Sequence, residues 1–195
     1  MRKWWIVVTL LLVAGTAFAQ NPERYPNSNP VPVPRPAFEG GTLPVPHRTI
    51  GSVTVGERAP DFELENAAGG KRRLSEWRGG WVALWFGSRN AGIPDADALA
   101  ASVALDGVTV LMIARERTGM LRGWLEEHPG ATAVLLSDVT ADIACEYGAF
   151  DTSRGQPTPG FVLLDEEGVV RVAVMGVSLT PEDARKMVQI AKTAL

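Results

Sequence analysis

From residue 53 onward the apolar and polar positions change period in an orderly way. GSVTVGERAPDFELEN carries alternating apolar positions, and AAGGKRRLSEWRGG follows with a Gly turn and a second short run, which together predict a β-hairpin. Trp81 to Phe86 is unbroken apolar sequence, the pattern of a strand covered on both faces. Asp95 to Leu105 spaces Ala98, Leu99 and Val103 as a helix does, and Val108 to Ala114 reads as the next strand. Met120 to Glu127 is amphipathic and stops at His128-Pro129-Gly130; Thr132 to Leu136 is again strand-like, with Asp138 just beyond it. Ile143 to Tyr147 predicts a short helix closed by Gly148. Phe161 to Leu164 and Val169 to Met175 predict two strands joined through Asp165 to Gly168, a sequence compatible with a type I′ hairpin turn. Thr180 then offers an N-cap, Pro181 a first helical residue, and Glu182 and Asp183 acids against the helix dipole. The predicted order is ββ-βαβαβα-ββα, an α/β domain without internal repeats.

The first fifty residues follow a different logic. Met1-Arg2-Lys3 precedes an apolar run from Trp4 to Val13, and Ala17-Phe18-Ala19 ends it in a small-x-small pattern. This is the layout of a cleaved secretory signal over residues 1–19, with a retained anchor as the alternative. Either way the chain is expected in an exported, periplasmic or extracellular, setting, with no membrane span once the signal is removed. Residues 20–50 contain proline every two or three positions, which removes backbone donors and predicts an extended tether rather than helix or sheet.

Composition narrows the chemistry. The chain has 195 residues, 46% hydrophobic and 21% charged, enough apolar material for one domain with a core. The formal charge of -3 becomes about -5 if Arg2 and Lys3 leave with the signal, a balance that gives no electrostatic footprint for nucleic acid. Cys145 is the single cysteine, so neither an intramolecular disulfide nor a two-cysteine mechanism is open to the chain alone. Ser88 has no evident base, because His47 lies in the tether and His128 at a helix end, so Ser-His catalysis is not expected. Two histidines and one cysteine at these separations give no metal-ligand spacing, and no cofactor motif is present. Trp77, Trp81, Trp85 and Trp124 are expected in core and hairpin packing.

Four stretches in order carry a family resemblance. VGERAPDFEL is similar to an opening "G-x-x-A-P-D-F-x-L", and KRRLSEWRGGWVALWFGS to "L-S-D-F-R-G-K-x-V-V-L-x-F". LLSDVTADIACEYGAF resembles "L-x-D-x-x-x-x-x-A-x-x-Y-G", and TPGFVLLDEEGVV resembles "x-P-x-x-F-L-I-D-x-x-G-x-I". Over residues 53–195 the chain thus resembles the alkyl hydroperoxide reductase/thiol-specific antioxidant (redoxin) family, peroxiredoxin-like and TlpA-like. The resemblance implies a thioredoxin-like fold, a central mixed β-sheet flanked by helices, with an N-terminal β-hairpin extension. It also implies a thiolate at the N-terminus of the helix after the central strand, where helix N–H groups lower a thiol's pKa.

No such thiol is present in WFGSRNAGIP. A CxxC pair would fall on Ala91 and Pro94, or on Asn90 and Ile93; the peroxidase pattern "P-x-x-x-T-x-x-C" would fall near Ser88, Gly92 and Asp95. Cys145 remains as a candidate nucleophile, although its place in IACEYG reads as core filling. By the same resemblance Pro159 matches a cis-proline beside the site, and Thr158 would offer backbone hydrogen bonds to an extended partner. Ser88, Arg89, Asn90, Thr158 and Pro159 are therefore the expected binding groove.

Three functions remain open at this point: a redox-inactive binding or accessory module in the cell envelope, holding a protein or peptide; an antioxidant or thiol-disulfide oxidoreductase using Cys145 or another protein's thiols; and a structural envelope protein.

Overall fold

The computed structural model describes residues 51–194. The expected signal (1–19), the proline-rich tether (20–50) and His47 lie outside them. Chain order begins with the hairpin β1 (Glu63–Asn66) and β2 (Lys71–Arg73), then β3 (Trp81–Gly87), α1 (Arg89–Val103), β4 (Val108–Ala114), α2 (Thr118–Glu127), β5 (Val134–Ser137) and α3 (Asp142–Glu146). A small pair β6 (Phe150–Asp151) and β7 (Gln156–Pro157) precedes β8 (Gly160–Leu164), β9 (Val170–Met175) and α4 (Pro181–Thr193). Seven strands form one mixed sheet in the order β2-β1-β5-β4-β3-β8-β9. β3, β4 and β5 run parallel; the hairpin joins one side antiparallel to β5, and β8 joins β3 antiparallel on the other.

The alternation of side chains along the central strands supplies two cores. Trp81, Ala83 and Trp85 of β3 face α1, α2 and α4 together with Val110 and Met112 of β4. Val82, Leu84 and Phe86 face the other way, onto Phe62, Leu74, Ala144 and Tyr147. A strand with both faces covered must be apolar at every position, which is why β3 reads as a continuous run. On the second face Tyr147 sits edge-on to Phe62, tilted against Phe86, and donates its hydroxyl to Pro60 C=O at 2.5 Å. Burial first, then the nearby Glu146 and Asp61 charges, push its phenol pKa up, so it acts as a hydrogen-bond donor.

Four expectations are corrected here. The alternating stretch before Glu63 is not strand. Instead, residues 56–59 form a strap against β9, with Gly56 N–H donating to Val170 C=O, Val170 N–H to Glu57 C=O, and Ala59 N–H to Gly168 C=O. Pro60, with no N–H to give, follows the strap. Second, α1 begins at Arg89 and runs through Pro94, six residues before the expected start. Pro94 removes one helical donor, but burial of Ile93, Ala96 and Leu99 on the sheet outweighs that loss. Third, β6 and β7 were not legible, since two residues carry no period.

The fourth correction concerns the β8–β9 connection. Among the described residues only Ala141 has a positive φ without being glycine, so Glu166 and Glu167 do not have the paired positive φ of a type I′ turn. Gly168 alone takes the left-handed conformation (φ 80°), and its N–H returns to Asp165 C=O. The Asp165 carboxylate organises the turn by accepting from Glu167 N–H, Val169 N–H and Arg171 Nε at 2.7 Å. Its burial opposes ionisation, but the Val169 N–H and the Arg171 guanidinium outweigh that and hold the carboxyl below its ordinary range.

Asp165→Ala removes a buried, bonded charge and orphans Arg171. It is expected to destabilise the fold by roughly 2–4 kcal/mol at pH 7. Because the folded-state pKa is depressed, the carboxylate's contribution is present above the unfolded value of about 3.9 and is lost as pH falls through the folded value. Urea denaturation of wild type and variant at pH 7 and pH 3 checks both points: the difference in stability should shrink at the lower pH.

Candidate functional site

The parallel strand β3 can present side chains only at its C-terminal end, where the chain turns into α1. Ser88 is the N-cap of that helix in extended conformation (φ -89°, ψ 161°), but its side chain makes no capping hydrogen bond, and the first turn holds no acid. The turn is tight because two glycines meet: a Cβ built on Gly92 would stand 3.1 Å from Gly87 Cα and 2.8 Å from Met112 Cε. Ile93, next in sequence, is completely buried beneath the helix.

The other side of the site is the chain entering β8. Thr158 N–H donates to Ala149 C=O at 2.9 Å, and Gly176 N–H donates to Pro159 C=O at 2.8 Å. The bond between Thr158 and Pro159 is trans, as is every peptide bond of the described residues; this corrects the expected cis-proline. The two hydrogen bonds explain the outcome, since they hold the chain extended from β7 into β8, and an extended run is served by the ordinary trans geometry. Thr158 N–H, expected to pair with a partner, is already taken inside the fold.

Between these elements lies a cavity of about 70 Å³. Trp85, Phe86 and Phe161 supply aromatic wall, with Trp85 and Phe161 edge to face at 5.9 Å. Pro159, Val177 and Leu179 complete the apolar lining. Ser88, Gly92 and Asp95 form a single strip along α1, as their spacing of four and three requires. Of the expected groove residues, Ser88 and Pro159 meet at this cavity, whereas Arg89, Asn90 and Thr158 are not among its lining. Asp95 is the added residue. It was visible in the sequence only as a position where a family pattern would have its cysteine.

Cys145 belongs elsewhere. It lies on α3, is 3% exposed, and is absent from the cavity lining. α3 is held by Asp138, whose Oδ2 accepts from Ala144 N–H at 2.9 Å, while its Oδ1 is buried without a hydrogen-bond partner. Burial raises the Asp138 pKa, offset in part by the backbone N–H of Ala144. His128 stacks on Trp124 at 4.1 Å with Nδ1 2.8 Å from Trp124 C=O, and it too is not part of the cavity. Among the described residues, no group of three or more His, Cys, Asp or Glu is placed to hold a metal ion, and no helix is long and apolar enough to cross a membrane.

The sequence profile of the AhpC/TSA family matches residues 55–173, more than half of the chain. The chain belongs to the AhpC/TSA family. A relative is the selenocysteine-containing peroxiredoxin PrxU of Peptoclostridium acidaminophilum, 28% identical over 134 positions that cover 61% of this chain and 66% of that protein. The match thus spans just under two thirds of that relative's own length. Solved structures agree on the fold. The thiol peroxidase from Chromobacterium violaceum superposes with a TM-score of 0.63 at 18% identity, covering 75% of this chain and 93% of the other. The peroxidoxin BcpB from Mycobacterium tuberculosis superposes with a TM-score of 0.62 at 20% identity, covering 73% and 99%. Within the AhpC/TSA framework, this chain has its single cysteine at position 145 and none in the first turns of α1.

The glycine contact gives a direct test of how the site is built. Gly92→Ala adds helix propensity of about 1 kcal/mol, but it forces the first turn of α1 away from β3 and against the buried Met112 side chain, which costs about 1–3 kcal/mol. Net destabilisation of about 1 kcal/mol is expected from the denaturation midpoint, and a stabilised variant would show that the turn has slack.

Proposed function

We propose that the chain is exported to the cell envelope and acts there as a redox-inactive binding or accessory module of the AhpC/TSA family. Its partner is a protein or peptide segment held beside α1 and Pro159, with Arg89, Asn90 and Thr158 flanking the cavity in sequence. One observation carries this reading. The α1 strip of the cavity offers a hydroxyl, a hydrogen and a carboxylate at Ser88, Gly92 and Asp95, while the chain's only thiol is buried on α3. Attack on a peroxide or disulfide requires a thiolate nucleophile, and none of those three groups supplies one. The N-terminal pattern of Arg2, Lys3, the apolar run and Ala17-Phe18-Ala19 supports export.

The alternative is an oxidoreductase that uses Cys145 or the thiols of another protein, and the identity shared with a peroxiredoxin favours it. Against it stands the burial of Cys145, which keeps peroxide and partner thiols from the sulfur.

Hydrogen peroxide consumption with dithiothreitol as reductant, and insulin disulfide reduction, decide between the two. Wild type and Cys145→Ser are expected to give the same background rate in both assays. The substitution should cost about 1–2 kcal/mol of stability, because it buries a hydroxyl in place of a thiol. Peroxide consumption well above background in wild type, abolished in Cys145→Ser, would replace the binding module by a one-cysteine peroxidase.

A further inference from the structure

The cavity beside α1 combines three properties that together describe an occupant. Its volume of about 70 Å³ is far below the roughly 300–1,000 Å³ of pockets that enclose whole small molecules, and suits a single apolar side chain. Its walls are mainly aromatic and aliphatic, and they continue outward onto Pro159, which is exposed, and Val177, which is 56% exposed. Asp95 is the one charged residue among those lining it. That carboxylate is half-buried, and no hydrogen bond or ion pair to it is present among the described residues. Two other aspartates differ in this: Asp97, two positions on, accepts from Thr132 and Ala133, and Asp165 is paired with Arg171. Asp95 is thus an unengaged negative charge at the mouth of an apolar socket.

We propose that this cavity is the docking site for an extended peptide segment of a protein partner that presents a leucine-sized apolar side chain with a lysine or arginine beside it. This proposal rests on the binding-module reading and specifies its partner. The apolar side chain fills the socket lined by Trp85, Phe86 and Phe161, where burying its surface supplies the affinity. The neighbouring cation lies over Asp95, which supplies direction and selectivity more than strength. The first turn of α1, which has no side-chain cap on Ser88, leaves backbone N–H groups for a carbonyl of the same segment. Pro159 and Val177, neighbours through the Gly176 N–H to Pro159 C=O bond, are exposed and extend the apolar contact beyond the socket, which a chain running through the site uses and a compact small molecule does not.

The test uses fluorescence anisotropy of labelled hexapeptides with the full chain carrying Cys145→Ser, so that no thiol chemistry contributes. Three probes are compared: Gly-Ser-Leu-Lys-Ser-Gly, the same peptide with Glu for Lys, and the same peptide with Ser for Leu. The Leu-Lys peptide should bind most tightly, and its affinity should fall as salt is raised. Asp95→Asn should weaken it roughly 5- to 10-fold with little effect on the Leu-Glu peptide. Asp95→Lys should invert the preference in favour of Leu-Glu, an outcome that damage to the fold does not produce. Val177→Ser, an uncharged change at an exposed position on the rim, should weaken every leucine-containing peptide. Equal affinity for all three peptides, no binding, or a preference untouched by Asp95→Lys would overturn the proposal. Binding of octylammonium by the same cavity without binding of any peptide would overturn it as well, in favour of a small amphiphile. These readouts are independent of peroxide consumption. Failure here with background peroxidase rates removes the peptide class alone, and peroxidase activity dependent on Cys145 removes the module reading whatever the peptides do.

Discussion

Strand β3 is paired on both sides and covered on both faces, and this one constraint decides where the domain can do anything at all. Its six buried residues, Trp81 to Phe86, are committed to packing, and only the last two of them, Trp85 and Phe86, reach the wall of the cavity. Only the last step of the strand escapes, at Gly87 and Ser88, and the helix that follows must be brought down against the sheet to cover Trp85. The meeting of Gly87 and Gly92 makes that possible, and the cavity is the gap left between this turn and the chain entering β8. The site is therefore a by-product of how the central strand is buried, present whether or not a reactive group stands in it.

The same constraint explains which parts of the fold could be read directly from the chain. Long buried strands and the amphipathic helices α2 and α4 leave a clear period, and the Thr180 cap is realised as expected, its Oγ1 accepting from Asp183 N–H. The elements misread are those whose structure depends on distant partners. The residues before Glu63 alternate like a strand but find their hydrogen bonds on β9, about a hundred residues away in sequence. Pro94 looks like a helix boundary, yet the sheet beneath Ile93 carries the helix past it.

Site residues were legible to the same degree. Ser88 and Pro159 were reached through the family resemblance, which aligns the strand end at Phe86 and the proline before β8 with the sides of a site. Their convergence with Asp95 is a tertiary fact, as is the hydrogen bond that commits Thr158 N–H to Ala149. An aspartate on a helix is ordinarily solvated, and nothing in the neighbouring residues distinguishes Asp95 from Asp97. Asp95 lines the cavity, whereas Asp97 caps the Thr132–Ala133 backbone, a difference made by their positions around α1.

The strap of residues 56–59 has a further consequence for how the molecule behaves among its own copies. β9 is the last strand of its sheet, and its sequence VRVAVM is the kind that joins readily to another open strand. The strap closes the first part of that edge by occupying Val170 N–H and C=O, and Arg171 places a charge immediately after it. Edge pairing from that end would first have to displace the strap from Val170. The stretch that leads into the domain thereby shortens the open edge of β9, an effect carried by backbone hydrogen bonds and independent of anything the cavity holds.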